Sequence, residues 1–273
     1  MAFPSIAVVH LIRKSNGIAP FKDFLQSYHQ HREPLEHDLV LIFKDFDLDE
    51  DTDYLSLLKD TPFVRYDYAG DDGLDIGPYS AVGQQLDYDY FCFLNSFSRI
   101  ECDNWLTHLY TGLTGSKDAG IVGASGSWES SSETDPPFPN PHLRTNGFLI
   151  SKAIMAQIEF IPINGKDDAR IMESGKCSIT RQVTAMGMLP YVVDSEGSCL
   201  PIDDWPASLT FRSGDQQGLM ISDNRTRTYL EGDAWTREYL YDLAWTGNPS
   251  NANPFKRKQL KHRLRRFFRV RRN

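Results

Sequence analysis

The strongest constraint on the fold is a series of short apolar segments that alternate with segments of helical periodicity. Five of these segments have the composition of β-strands, the third being more polar than the others, and they occupy residues 5–12, 37–43, 62–68, 90–94 and 119–124. Between them, residues 20–28 and 103–113 repeat their apolar side chains at helical spacing. Strands separated by helices predict βαβ units, and therefore an α/β fold with a mostly parallel sheet flanked by helices.

The second half of the chain continues this pattern less regularly. Residues 125–142 are rich in Ser and Pro and predict a long mobile loop, which in a compact domain is more often functional than idle. Order is expected to resume at 148–155, followed by a helix at 178–188 and a strand at 189–194. At 273 residues the chain is long enough for one large domain, which we place at 1–250, with a separate tail at 251–273.

Charge is distributed unevenly between these two parts. Residues 255–273 contain 10 Lys or Arg and no acid, whereas the preceding 254 residues carry a net charge of −18. In the tail, Leu260, Leu264, Phe267 and Phe268 fall at helical spacing, as in an interfacial helix attracted to anionic lipid. A nucleic-acid partner is disfavoured because the acidic body would repel phosphate. A disordered solubilising tail is the remaining alternative.

Several classes of protein are disfavoured by composition. The apolar run at the N-terminus is short and has no basic residues before it, so we expect neither a signal peptide nor a membrane span. The four cysteines show no spacing typical of a zinc site or a disulfide framework. We therefore expect a cytoplasmic protein, held peripherally at the inner face of the cell membrane by residues 255–273.

Acidic side chains directly follow the second predicted strand. Asp45 and Asp47 occur in the sequence FKDFD at 43–47. Open α/β sheets bind ligands beyond the carboxyl ends of their strands, so these carboxylates are candidates to contact a base or ribose. An acidic turn exposed to solvent explains the same composition equally well.

The segment 70–100 resembles nucleotide-sugar glycosyltransferases of the GT-A fold in the order of its glycine turn, helix and strand. Within it, Asp75-Ile76-Gly77-Pro78-Tyr79 is similar to a motif of bacterial polysaccharide glycosyltransferases of the rhamnan-synthesis type. The resemblance covers roughly residues 5–124 and continues more weakly to about 245. It implies a GT-A-like sheet, a nucleotide-sugar donor held partly by Asp45 and Asp75, and a glycan or lipid-linked acceptor.

A metal-binding D-x-D pair would end the fourth strand in that family. Here Asn95 and Ser96 occupy the corresponding positions, where they are candidates to contact the ribose or phosphate of the donor. Asp87 and Asp89 precede the strand, ~15–20 Å from its carboxyl end, and are therefore rejected as the metal pair. Neutral groups bind Mg²⁺ or Mn²⁺ weakly compared with carboxylates. No metal ligand is assigned, although a divalent Mg or Mn ion stays an alternative.

The catalytic base is expected in the segment 170–187. Inverting GT-A enzymes often carry an acid shortly before a helix that contains Arg and ends near Gly, and Glu173, Arg181 and Gly187 resemble that arrangement. Glu173 would take the proton from the acceptor hydroxyl, and a helix-capping role is its alternative. Without a metal, the leaving diphosphate needs other positive charge. The available cations are Arg13, Lys14, Arg144, Lys176 and Arg181.

These observations predict a glycosyltransferase that moves a sugar, of hexosyl or deoxyhexosyl type, from a nucleotide sugar to a bacterial surface glycan. The glycan would be lipopolysaccharide, capsule or exopolysaccharide. The substitution by Asn95 and Ser96 keeps a second reading open, a non-catalytic module that binds glycan or nucleotide on the same fold. A third reading is a nucleic-acid-associated protein that uses its basic tail. The polar and aromatic segment 205–229 has the composition of an acceptor cleft.

Overall fold

The structure is a computed structural model, and it describes residues 4–47, 50–249 and 253–255. Twelve strands occur in this part of the chain. They are β1 Ile6–Arg13, β2 Asp38–Lys44, β3 Val64–Tyr68, β4 Tyr90–Leu94, β5 Arg99–Ile100, β6 Ala119–Gly123, β7 Gly126–Ser127, β8 His142–Leu143, β9 Phe148–Ser151, β10 Leu189–Val193, β11 Cys199–Leu200 and β12 Ile221–Ser222.

Nine α-helices connect these strands or follow them. They are α1 Ala19–Gln30, α2 Thr52–Leu57, α3 Ile76–Gln85, α4 Trp105–Gly115, α5 Lys152–Met155, α6 Lys166–Glu173, α7 Ile179–Ala185, α8 Asn224–Leu230 and α9 Ala234–Trp245. Two short 3₁₀ helices occupy Lys14–Asn16 and Ile202–Ala207.

Eight of the strands form one central sheet in the order β11-β10-β6-β9-β4-β1-β2-β3. Strands β1 to β4 pair in parallel, and so do β6 and β10. Strand β9 runs antiparallel between β4 and β6, so these two groups of parallel strands point the same way. The prediction of an α/β fold with a mostly parallel sheet is confirmed, and six strands end at the same edge of the sheet.

Apolar side chains cover both faces of this sheet. On one face, α1 and α4 bury Phe24 and Trp105 against β1, β2 and β4. On the other face, α3 and α7 bury Tyr79 and Val183 against the same sheet. A large side chain of this kind contributes ~1.5–3 kcal/mol when fully buried, so the two clusters hold the strand ends in a fixed arrangement.

Residues 125–142 are more structured than their composition predicts. Strands β7 and β8 pair within this segment, and Asn140 donates a backbone hydrogen bond to the carbonyl oxygen of Trp128. Trp128 in turn packs against Trp245 of α9 at a ring-centroid distance of 5.8 Å. Contacts with residues distant in sequence therefore order this segment, and local composition could not have indicated them.

Helix α6 lies in a region that the sequence left unassigned, and α7 ends three residues earlier than predicted, at Ala185. No helix within 4–47, 50–249 and 253–255 is both long enough and apolar enough to cross a membrane. The basic tail predicted at 251–273 lies outside the described residues except for 253–255.

Candidate functional site

A cleft with a volume of about 610 Å³ opens at the edge where the parallel strands end. It is bordered by the ends of β1 and β4, the N-terminus of α3, helix α6 and the segment around 211–225. Its charged lining residues are Arg13, Asp75, Glu129, Arg144, Lys166, Asp167, Arg170, Glu173, Arg212 and Arg225. Six cations and four carboxylates therefore surround one cavity, at the location where open α/β sheets bind ligands.

The Asp75-Ile76-Gly77-Pro78-Tyr79 motif forms the start of α3 at this edge. The carboxylate of Asp75 accepts a hydrogen bond from the backbone N–H of Ile76 at 3.1 Å, which caps the helix. Tyr79 is buried with its ring 4.6 Å from that of Phe93. A Cβ atom at Gly77 would lie 2.8 Å from the hydroxyl oxygen of Tyr68, so a larger residue there would displace the end of the Tyr68 side chain. The motif thus fixes the carboxyl group of Asp75 in the cleft lining.

Thr145 links Asp75 and Glu173, two of the carboxylates that line the cleft. The carboxylate of Glu173, the last residue of α6, accepts hydrogen bonds from the backbone N–H and the hydroxyl of Thr145 at 3.2 and 3.3 Å. The Thr145 hydroxyl also interacts with Asp75. Burial, and then the negative charge of Glu173, raises the pKa of Asp75. The predicted base and a predicted donor contact therefore lie in one hydrogen-bonded group.

Arg144 lies on the same wall and is 9% exposed. Its Nη2 donates to the carboxylate of Asp223 at 2.8 Å, and its guanidinium carbon lies 4.2 Å from the ring centroid of Phe211. Its buried Nη1 has no hydrogen-bond partner among the described residues. Burial opposes its charge, but the carboxylates of Asp223 and Glu173 raise the pKa of Arg144 above its ordinary value.

Asn95 and Ser96 follow β4 and line the cleft, as their position in the sequence predicts. The side-chain oxygen of Asn95 accepts hydrogen bonds from the backbone N–H of Phe97 at 2.9 Å and the hydroxyl of Ser98 at 3.2 Å. The hydroxyl oxygen of Ser96 accepts one from the side-chain amide of Asn16 at 2.8 Å. Both oxygens are therefore already used to hold the loop that follows the strand.

The residues at this position do not fit a divalent cation. Mg²⁺ is bound mainly through carboxylate oxygens, whereas Asn95 and Ser96 offer neutral oxygens that are already hydrogen-bonded. Within 4–47, 50–249 and 253–255, no three His, Cys, Asp or Glu residues lie together in a way that could hold a metal ion. We therefore derive no catalytic step from a metal.

Other predicted donor contacts lie outside the cleft lining. Asp45 follows β2 with a left-handed φ of 64°, and its charge contributes, after that of Asp71, to the raised pKa of Arg13. Lys176 is exposed beyond α6. Arg181 on α7 donates to the side-chain oxygen of Asn140 at 3.0 Å. The structure thus brings Asp75, Asn95, Ser96, Arg144 and Glu173 together in one cleft, and leaves Asp45, Lys176 and Arg181 beside it.

Asp87 and Asp89 lie at the start of β4, at the opposite end from the cleft. Asp87 pairs with Lys152 at 2.5 Å, and Asp89 accepts hydrogen bonds from the backbone N–H and the hydroxyl of Ser5 at 2.8 and 3.0 Å. Asp87 therefore connects the start of β4 to the start of α5, and Asp89 connects it to the residue before β1.

Sequence reasoning did not single out Glu129, His142, Phe211, Arg212 or Arg225, all of which line the cleft. Arg212 is 5% exposed, and its Nη1 donates to the carboxylate of Glu129 at 2.7 Å. Burial lowers the pKa of His142, although the charge of Glu173 opposes this. Two signals were available: the composition of the loop 125–142, which supplies Glu129 and His142, and the aromatic and polar composition of 205–229, which supplies Phe211, Arg212 and Arg225.

Comparison with known proteins gives a likeness in fold and little likeness in sequence. The sequence matches no protein-family model, and a search of curated proteins finds no significant match. Among the similar solved structures, GalNAc-T7 and S. aureus TarS have TM-scores below 0.5. GalNAc-T7 with UDP, GalNAc and Mn²⁺ has a TM-score of 0.49 at 14% identity over 70% of this chain and 42% of its own. For S. aureus TarS the values are 0.43, 12%, 60% and 52%.

The mannosyltransferase PcManGT from Pyrobaculum calidifontis, solved with GDP-Man and Mn²⁺, is similar over a larger part of the fold. Its TM-score is 0.53 at 10% sequence identity, over 76% of this chain. This chain spans 60% of the length of that mannosyltransferase. The likeness concerns the fold, and the sheet described above agrees with it. The chain therefore has the GT-A-type fold of nucleotide-sugar glycosyltransferases, as its motifs predict.

Proposed function

We propose that this protein is a glycosyltransferase that moves a sugar from a nucleotide-sugar donor to a hydroxyl group of a glycan or lipid-linked acceptor. The observation that carries the proposal is the cleft at the carboxyl ends of the parallel strands, which combines the carboxylate of Glu173 with several cationic side chains. A base beside a region of positive charge suits a reaction in which a hydroxyl loses a proton and a diphosphate leaves.

In the proposed mechanism, the acceptor oxygen attacks the anomeric carbon of the donor directly. Glu173 takes the hydroxyl proton as the new carbon–oxygen bond forms. The bond between the anomeric carbon and the diphosphate oxygen breaks, and the nucleoside diphosphate leaves with the electron pair. The hydrogen bonds from Thr145 support this role because they orient the carboxylate of Glu173 at the cleft wall.

For donor binding we propose Asp45 and Asp75 near the base and ribose, and Asn95 and Ser96 near the ribose or phosphate. Arg144 would contact the diphosphate. The support is their place in the GT-A layout and, for all but Asp45, their position in the cleft lining. Lys176 and Arg181, which lie beside the cleft, remain predicted contacts of the donor.

We further propose that the acceptor is a bacterial surface glycan and that the protein works at the inner face of the cell membrane. The support is the resemblance of the 75–79 motif and the composition of 255–273. Deletion of 255–273 should abolish binding to vesicles that contain anionic lipid and leave transferase activity intact. Loss of nucleic-acid binding instead would favour the nucleic-acid alternative.

The test of the catalytic proposal is release of nucleoside diphosphate from a panel of nucleotide sugars, measured together with donor binding. Glu173→Gln should lower turnover by about 10²- to 10⁴-fold, the usual contribution of a general base, while donor binding changes little.

Asp87→Asn is the control, because Asp87 is also an acid but lies at the opposite end of β4 from the cleft, with its side chain 98% exposed. Its turnover should equal that of the wild type. If no nucleotide sugar is bound or turned over by the wild-type protein, the transferase proposal is wrong. Binding without turnover by the wild type, across a range of acceptors, would favour the non-catalytic module.

A further inference from the structure

Two buried guanidinium groups lie over one aromatic ring in the cleft. The guanidinium carbons of Arg144 and Arg212 are 4.2 and 4.7 Å from the ring centroid of Phe211. Each arginine makes one ion pair, with Asp223 and Glu129 respectively. Each also retains a buried N–H group without a hydrogen-bond partner in the described structure, on Nη1 of Arg144 and Nε of Arg212. We call these two residues the arginine clamp.

Unpaired donors of this kind are costly unless a ligand satisfies them. A buried donor without a partner costs ~1–3 kcal/mol, and more when the group is charged. Burial lowers the pKa of Arg212, and the positive charges of Arg144 and Arg225 lower it further against the opposing charge of Glu129. An anion in contact with the clamp would relieve both the missing hydrogen bonds and the repulsion between the cations.

The backbone at Arg212 is held in an uncommon conformation. Its φ is 46°, in the left-handed region that residues other than glycine seldom adopt. The buried side chain of Gln216 accepts a hydrogen bond from the backbone N–H of Arg212 at 2.7 Å and donates one to the carbonyl oxygen of Thr226 at 3.1 Å. Local strain that the surroundings enforce is frequent where a side chain must be presented to a ligand.

The charge of the cleft differs from that of the protein as a whole. The lining contains six Lys or Arg against four Asp or Glu, whereas the whole chain has a net charge of −8. Guanidinium groups match the geometry of phosphate oxygens and can donate two parallel hydrogen bonds. The ligand indicated by the cationic lining and the arginine clamp is therefore a compact polyanion with phosphate oxygens.

We propose that the arginine clamp binds the diphosphate of the donor directly, so that nucleotide binding requires no divalent cation. This inference rests on the proposed function for the identity of the donor. A divalent cation would need carboxylates to hold it, and Asn95 and Ser96 offer only neutral oxygens that are already hydrogen-bonded. The clamp would therefore supply the positive charge next to the diphosphate. In the reaction it would stabilise the negative charge that develops on the leaving diphosphate.

The test is calorimetric binding of inorganic diphosphate, UDP and GDP to the full chain, in EDTA and again with Mn²⁺. Binding should be equally strong in both. Arg212→Gln should weaken it by about 10- to 100-fold, because one charged hydrogen-bonding group is lost. Arg144→Lys keeps the charge beside buried Asp223 but loses the planar fork, and should also weaken binding.

Arg99→Gln is the matched control, because Arg99 also makes an ion pair and has a buried Nε without a partner, but lies outside the cleft lining. Its affinity should be that of the wild type. The inference fails if binding requires Mn²⁺, if none of the three probes binds, or if Arg99→Gln weakens binding as much as Arg212→Gln. Metal-free binding that depends on Arg212, without turnover of any nucleotide sugar, would support the clamp and refute the proposed function.

Discussion

The cations that border the carboxyl edge of the sheet form two groups with different partners. Arg13, Lys14 and Lys44, at the ends of β1 and β2, are the strand-edge cations. Nε and Nη2 of Arg13 both donate to Asp71 at 2.5 Å, Lys14 pairs with Glu50, and buried Lys44 donates to the carbonyl oxygen of Leu74 at 2.6 Å. Arg144 and Arg212, by contrast, each keep a buried donor without a partner.

This difference shows that positive charge alone does not identify a binding residue. The sequence offers Arg13, Lys14 and Arg144 as equivalent candidates, yet the first two are engaged by carboxylates that follow β3 or β2. Lys44 is fully buried and its ammonium group is held by the carbonyl oxygen of Leu74, and burial lowers the pKa of Lys44 to about 8 although the charge of Asp71 opposes this. We therefore expect the strand-edge cations to support the fold and the arginine clamp to support ligand binding.

The largest expected effect compares turnover in Arg212→Gln and Arg13→Gln. Removal of one preorganised donor to a developing charge costs about 10²- to 10³-fold in turnover, and we expect this for Arg212→Gln. Arg13→Gln should change turnover less than about threefold and lower stability by ~1 kcal/mol or less, because its ion pair is partly exposed to solvent. The measurements are steady-state kinetics and thermal unfolding.

Equal losses of turnover in these two variants would remove the distinction between the two groups. A loss that is larger for Arg13→Gln would reverse it and move the anion site to the end of β1.

The second prediction concerns a group on β1 that the fold keeps neutral. The imidazole of His10 is fully buried and lacks hydrogen-bond partners in the described structure. It stacks on the ring of Phe24, with the two ring centroids 3.6 Å apart. Burial lowers the pKa of His10 from 6.5 to about 3. The unfolded state therefore binds the proton first as pH falls, so stability is lost from about pH 6.5 towards pH 3.

His10→Phe should reduce this loss by on the order of 3 kcal/mol between pH 6.5 and pH 4. The readout is the pH dependence of the free energy of unfolding in urea, which separates the titration from any packing change in the variant. An unchanged slope in His10→Phe would show that other groups cause the acid sensitivity.

The smallest expected effect is a gain in stability within the cleft. Because the pKa of Asp75 is raised by burial and by Glu173, its ionised form is disfavoured in the folded protein. Stability is therefore lost as pH rises above the ordinary pKa of the carboxyl group. Asp75→Asn should raise the melting temperature at pH 7 by a few degrees, on the order of 1 kcal/mol, with no gain near pH 3. A melting temperature that falls at pH 7 would contradict the pKa shift.

The sequence predicted the sheet well because strand periodicity and burial are local signals. The segments 5–12, 37–43 and 90–94 became β1, β2 and β4 with small changes at their ends. Helix α6 was not predicted, since Lys166 to Glu173 is mostly polar and only Ala169 and Met172 are buried. Ala169 and Met172 lie on one face of the helix, but two apolar contacts in a mostly polar segment are too few to distinguish a helix from a polar loop.

The candidate site was predictable in part. Glu173, Asp75, Asn95 and Ser96 were found by their resemblance to GT-A motifs and by their position after strands and before helices, and they do lie in one cleft. Arg212 was not found, because its importance depends on Glu129, which lies 83 residues earlier in the chain, and on the ring of Phe211. No pattern along the chain encodes such a contact.

The sequence by itself determined the α/β layout, the GT-A order of motifs and the absence of carboxylates after β4, because each of these is written in consecutive residues. Only the tertiary structure decided which charges are available. Arg13 and Arg144 are the same residue type at the same edge of the sheet, but one is matched by Asp71 and the other is buried with a donor unpaired. Whether a donor has a hydrogen-bond partner depends on which groups lie near it in space. It therefore distinguishes residues that look equivalent in the sequence.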